Sequence, residues 1–164
     1  MKVVLTLTKT FFGGHSKAGQ PTHFAEAVKS GVKIHTCRDN YTYWVGKIEA
    51  LKATGGTLCV REWSGRPFRS PQDTIKEFPA KAVGVERLLV GREVLNDANA
   101  TCCIEHKSKC VYVPFCTLAG NDGLASGREL AEFLAPVFDK YRLEKIELAI
   151  VHFTPFRYAA SQTN

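Results

Sequence analysis

The stretch "SGVKIHTCRDNYTYW", residues 30–44, puts a helix stop, a strand and a helix start in direct succession. Gly31 reads as the residue just past a short helix opened by Pro21 and Thr22, in which Phe24, Ala27 and Val28 share a face. Residues 32–38 then alternate as a strand, with Val32 and Ile34 supplying bulk. Asn40 is placed to cap a second helix, where Tyr41, Trp44, Val45, Ile48 and Leu51 recur at helical spacing and predict a core-facing stripe. Lys33, Thr36, Arg38 and Asp39 are crowded into this one strand. If it is flat, Lys33 shares a face with His35 and Cys37, while Thr36 and Arg38 fall on the other. Lysine and threonine meet only if the chain bends, which Gly31 and a turn near residue 35 permit.

Outward from this segment, residues 3–11 and 55–63 read as strands, as do 82–91, about 100–106, 110–115 and 145–153. The glycine-rich loop at 13–20 lacks the Gly-Lys-Ser/Thr closure of a phosphate-binding loop. After a turn at 118–123, Leu130, Phe133, Leu134, Val137 and Phe138 predict a third helix, which Pro136 should kink or split. Six or seven strands and three helices that do not alternate regularly predict an α+β fold, with a mixed or antiparallel curled sheet or small barrel carrying the helices. The expected organisation is a single domain over 1–154 with a polar C-terminal tail at 155–164.

The 164 residues carry a formal charge of +6 and a pI near 9.1, a mild tilt toward polyanionic partners. Nothing approaches the roughly 20 apolar residues of a membrane span. The N-terminus alternates like a strand and lacks a signal-peptide cleavage site, so no membrane association and a cytoplasmic location are expected. The six cysteines form no Cys-x-x-Cys pair and are expected to be reduced thiols. Cys102, Cys103, His106, Cys110 and Cys116 match no zinc spacing, and His15, His23, His35, His106 and His152 supply no spaced pair. Neither a metal nor another cofactor is expected. The sequence does not define an oligomeric state.

The loop at 64–72 bears Arg66 and Arg69 around Phe68, next to Arg61 and Trp63. Arginines interleaved with aromatics suit RNA, where the cation meets phosphate and the ring stacks on an unpaired base.

"GVKIHTCRD", residues 31–39, resembles the Gly-x-Lys-x-x-Thr/Glu-x-Arg motif of ASCH domains, relatives of the PUA domain. The upstream helix "HFAEAVKSG", the first strand, the turn "NDGLASGREL" and the closing strand "LAIVHF" follow the same order. Gly55-Gly56 stands where many members have Gly-Asp, and residues 63–78 form an insertion. The resemblance implies a PUA-like β-barrel with flanking helices and a cleft, bordered by Gly31, Lys33, Thr36 and Arg38, that binds RNA or a nucleotide-like ligand. One branch of the family deacetylates N4-acetylcytidine; by that likeness Lys33, Thr36 and, for the family's glutamate, Asp122 are the candidate catalytic trio. In such a trio a lysine of lowered pKa activates the threonine hydroxyl for amide hydrolysis. Three functions therefore stand: RNA or nucleotide binding, amidohydrolysis of an N-acylated nucleoside, or a non-catalytic interaction protein in which the polar cluster is architectural.

Overall fold

A computed structural model describes residues 1–97 and 99–160. Along the chain run β1 (Lys2–Leu7), α1 (Phe24–Ser30), β2 (His35–Arg38), α2 (Tyr41–Thr54), β3 (Thr57–Trp63), β4 (Gln72–Pro79) and β5 (Gly84–Gly91). After a 3-10 turn at Arg92–Leu95 come β6 (Thr101–His106), β7 (Lys109–Pro114), α3 (Phe115–Asn121), α4 (Gly127–Tyr141) and β8 (Lys145–His152). The fold is α+β. Its described strands form two sheets, ordered β1-β3-β4 and β2-β8-β5-β6-β7, and no pairing among the described residues closes them into the expected barrel.

The smaller sheet pairs β1 with β3 in parallel, Leu7 opposite Glu62, and β3 with β4 antiparallel. In the larger sheet every pairing is antiparallel, and β8 lies between β2 and β5. The apolar run Leu148–Val151 fits that inner position, because both faces of the strand are covered. Leu5, Leu58, Leu88, Ile104, Phe138, Leu148 and Ile150 join one continuous core with Phe115 and Phe153.

Several elements differ from the sequence reading. Strand β4 falls where a loop and insertion were expected, because "QDTIKEFP" turns only Phe78 fully inward and owes its place to backbone pairing with β3. An extra helix, α3, replaces the end of the predicted strand at 115 and the turn after it. Helix α4 runs unbroken through Pro136, since its buried Leu130, Ala131, Leu134 and Phe138 fix it on both sides of the proline. In α2 only Ile48 and Leu51 are fully buried, so its apolar stripe is narrower than its spacing suggested. The thiols are not all reduced. Cys103 pairs with Tyr112 and Cys110 with Glu105 across the β6–β7 hairpin, a diagonal that brings the two cysteines together as a disulfide.

The chain beyond β8 packs back onto β5. Buried Glu86 accepts hydrogen bonds from the Tyr158 N–H at 3.0 Å, the Ala159 N–H at 2.9 Å and His152 Nε2 at 2.7 Å. The segment expected as a polar tail thus begins as packed structure, with Tyr158 and Ala159 buried; residues 161–164 lie outside the described residues. Burial opposes the charge on Glu86, but these donors together outweigh it and hold its carboxyl below 4.5. Burial lowers His152 below 6.5 against the pull of Glu86. Both shifts act in the same sense. As pH falls through 6.5 the unfolded chain takes up the His152 proton first, and the stability Glu86 supplies above 4.5 is lost as pH falls through its folded value. Melting temperature is therefore expected to drop between about pH 7 and about pH 5 through His152, with Glu86 adding to the loss only at lower pH. A flat profile over that interval would exclude this clamp as an acid-sensitive element.

Candidate functional site

Gly31 decides how the motif enters the fold. Its φ of 82° is the left-handed conformation that glycine adopts without steric cost, and its N–H returns to the Val28 carbonyl at 3.3 Å. The turn is completed by backbone bonds to three different elements. Lys33 N–H reaches the Ala27 carbonyl at 3.0 Å, Ile34 N–H the Asn121 carbonyl at 2.9 Å, and Phe153 N–H the Ile34 carbonyl at 2.9 Å. Lys33 and Ile34 therefore precede β2, which begins at His35, and strand alternation does not govern where the lysine points.

The Lys33 side chain turns inward and is 1% exposed. Its Nζ lies 4.2 Å from the centroid of the Phe24 ring. It donates to the Asp122 carbonyl oxygen at 2.5 Å and forms an ion pair with Asp122 Oδ1. Asp122 closes α3, its own N–H returning to Leu118 and Ala119, and its second carboxylate oxygen accepts the Cys37 N–H at 3.0 Å. The carboxylate thus ties the turn before β2, the backbone of β2 and the end of α3. Burial pulls the Lys33 ammonium below its ordinary value; Asp122 opposes this and nearby Arg38 reinforces it.

Beside this pair lies a cavity of about 220 Å³. Its polar border includes Thr36, Arg38 and Asp122, and Phe24, Leu124, Leu130, Phe133 and Leu134 give it apolar walls. Leu7 and Thr8 line it from the end of β1. Arg38 Nη2 donates to the Thr6 carbonyl at 2.5 Å, but its Nε is buried without an acceptor among the described residues. The nearly buried Thr36 hydroxyl makes no hydrogen bond among the described residues. Thr36 and Arg38 thus both line one hollow while the Thr36 hydroxyl and the buried Arg38 Nε keep hydrogen-bonding capacity unused among the described residues. At the mouth, Asp39 is held by Lys140 at 3.2 Å and the Tyr141 hydroxyl at 2.8 Å.

The motif residues separate into distinct positions. Thr36, Arg38 and Asp122 border the cavity; Lys33 stands behind it and communicates through Asp122; Gly31 is an exposed helix terminator. Arg61 and Trp63 are half-buried on β3, with Arg61 Nε 3.1 Å from the Cys59 sulfur. Arg66, Phe68 and Arg69 form an exposed turn in which Phe68 is 89% exposed at a φ of 61°, its ring 5.2 Å from that of Trp63. That turn leaves β3 beside the cavity wall: Glu62 faces Leu7, and Lys9 Nζ reaches the Ser64 carbonyl at 3.4 Å. Phe24 and Phe133 read as core from their helical spacing, and Leu7 and Thr8 as ordinary strand residues. Nothing local in the sequence distinguishes them as cavity walls.

Comparison of the chain with family models, curated proteins and solved structures finds no match.

Two measurements test the Lys33–Asp122 pair. Removing one partner strands a buried charge, so Lys33→Met is expected to cost about 3–5 kcal/mol in denaturant unfolding, and Lys33→Met with Asp122→Leu to recover much of it. Additive losses would mean that the two groups are not coupled. Gly123, at φ 81°, carries no Cβ where one would lie 3.0 Å from the Lys33 Cβ. Gly123→Ala should therefore cost more than the roughly 1 kcal/mol of a left-handed alanine. Gly31→Ala, where an added Cβ meets nothing within 4 Å, supplies the backbone-only comparison.

Proposed function

We propose that this protein is an ASCH-type, PUA-like RNA-binding protein and that its cavity takes an unpaired base or nucleoside. The observation that carries the reading is that Thr36 and Arg38, whose hydroxyl and Nε make no hydrogen bond among the described residues, both line one hollow with aromatic and aliphatic walls. A planar heterocycle gains apolar contact from Phe24, Phe133 and the leucines and offers carbonyl or ring-nitrogen acceptors to the free donors. The adjacent turn suits the continuing strand: Arg66 and Arg69 meet phosphates, and the exposed Phe68 ring stacks on a neighbouring base. The motif resemblance supports the same assignment. The two-sheet arrangement is then a variant of the PUA-like fold in which β4 extends the sheet at the family's insertion point.

A second reading is favoured by one specific feature: the free Thr36 hydroxyl borders the same hollow as the carboxylate that grips Lys33. In an N-acylated nucleoside that hydroxyl attacks the acyl carbonyl and its proton passes to the Asp122 carboxylate, which Lys33 orients from behind; the exocyclic amine leaves with that proton, and water then hydrolyses the threonine ester to release the acid.

Equilibrium binding to short single-stranded RNAs tests the first reading. Affinity is expected to fall steeply with salt, and Arg66→Ala with Arg69→Ala should weaken binding and reduce the log–log salt slope by about two. Thr36→Val and Arg38→Met should weaken binding by about tenfold or more with less change of slope. Unchanged affinity in all of these variants would overturn the assignment. For the second reading, incubation with N4-acetylcytidine should yield cytidine by chromatography, and Thr36→Val should abolish it.

A further inference from the structure

His35 Nδ1 is a polar atom whose placement neither reading above uses. It is fully buried in a side chain of 0% exposure, it has no hydrogen-bond partner among the described residues, and it stands 3.9 Å from Asp122 Oδ2. Cys37 follows His35 by two residues on the same face of β2. One ligand atom from each of His35, Cys37 and Asp122 can be chosen so that all lie within 4.8 Å of one another. We propose that His35 Nδ1, the Cys37 thiolate and the Asp122 carboxylate form a binding site for a divalent zinc-type cation.

The chemistry of the donors selects the ion. One imidazole, one thiolate and one carboxylate suit zinc, and cobalt(II) as its spectroscopic substitute, in preference to magnesium or calcium, which take oxygen ligands. Three protein ligands leave one tetrahedral position for water, the arrangement of reactive zinc sites. Cys37 and Asp122 both border the cavity.

The outer contacts fit as well. A histidine that binds metal through one nitrogen must carry its proton on the other, where an oxygen acceptor fixes it. His35 Nε2 is 2.7 Å from the Tyr158 hydroxyl oxygen, which already accepts from Asn121 Nδ2 at 2.8 Å. The Cys37 N–H holds Asp122 Oδ2 beside the proposed ion. Binding replaces the thiol proton by the metal: the S–H bond breaks, the proton leaves to solvent, and thiolate and carboxylate balance the two charges of the ion. Lys33, on the other carboxylate oxygen, and Arg38, next along β2, then remain as adjacent cations. The metal site shares Cys37 and Asp122 with the cavity but does not rest on the RNA reading, and its test contains no nucleic acid.

Cobalt(II) titration of the full chain with the Cys103–Cys110 disulfide intact is the direct experiment. One equivalent is expected to produce visible bands of a tetrahedral centre and a near-ultraviolet thiolate charge-transfer band, all displaced by zinc. Cys37→Ser should remove the charge-transfer band and weaken binding at least tenfold, whereas Cys116→Ser, at an exposed free thiol, should keep both. Lys33→Met should bind cobalt more tightly than the wild type, because the competing ammonium is gone. X-ray absorption of the zinc-loaded wild-type chain supplies a readout that needs no variant: one sulfur at about 2.3 Å with nitrogen and oxygen at about 2.0 Å. Absence of a sulfur ligand, or a charge-transfer band that persists in Cys37→Ser or disappears in Cys116→Ser, would overturn the site.

Discussion

A lysine ammonium sealed inside the protein is tolerable only beside an opposite charge, and the neighbourhood of the cavity follows from how that requirement is met. Isolated burial of either group would cost several kcal/mol, so Lys33 and Asp122 stabilise the fold only as a pair. Their contact forces three elements together: the turn after α1 supplies the lysine, α3 ends on the aspartate, and β2 fixes the carboxylate through the Cys37 amide. The same contact leaves Thr36 and Arg38 beside the hollow instead of against one another.

The pair also divides labour within the motif. Lys33 does not itself border the cavity; it sets the position and charge of the carboxylate that does. A ligand would therefore meet Asp122, Thr36 and Arg38, and would sense the lysine through the electrostatics of that carboxylate. This arrangement is compatible with recognition, in which donors and acceptors are held rigidly, and with chemistry, in which an ammonium of lowered pKa is kept one contact away. A further buried histidine system, Glu86 with His152 and the chain at Tyr158, lies nearby. Tyr158 bridges the two by its hydroxyl on His35 and its N–H on Glu86, so the C-terminal segment helps to position the motif strand.

The local pattern around residues 30–44 made much of the architecture legible. Gly31 ends a helix, Asn40 caps the next with its side chain on the Tyr43 N–H, and the strands 55–63, 82–91 and 145–153 were visible as apolar alternation or continuous apolar runs. The α+β class followed from their irregular order. Strand β4 and helix α3 were hidden for physical reasons: the former is an edge strand held by backbone bonds, and the latter is a short helix whose Phe115 and Leu118 read equally well as the end of a strand. Closure into a barrel depends on pairing between strands distant in sequence, and no local pattern reports that.

For the site, the sequence on its own determined which chemistry was available: an ammonium, a hydroxyl and a guanidinium behind a glycine, and a carboxylate in an Asn-Asp-Gly turn far along the chain. Strand parity argued that lysine and threonine should diverge, and within a strand that rule holds. Only the tertiary structure placed Lys33 outside the strand, because backbone bonds from Ala27, Asn121 and Phe153 hold it in the preceding turn. It likewise decided that Asp122 is a hub, that His35 Nδ1 lies beside it without a hydrogen-bond partner among the described residues, and that Phe24 and Phe133 are walls of a hollow. Those outcomes depend on desolvation and on contacts between residues distant in the chain, 89 positions apart for Lys33 and Asp122, which act only once the chain has packed.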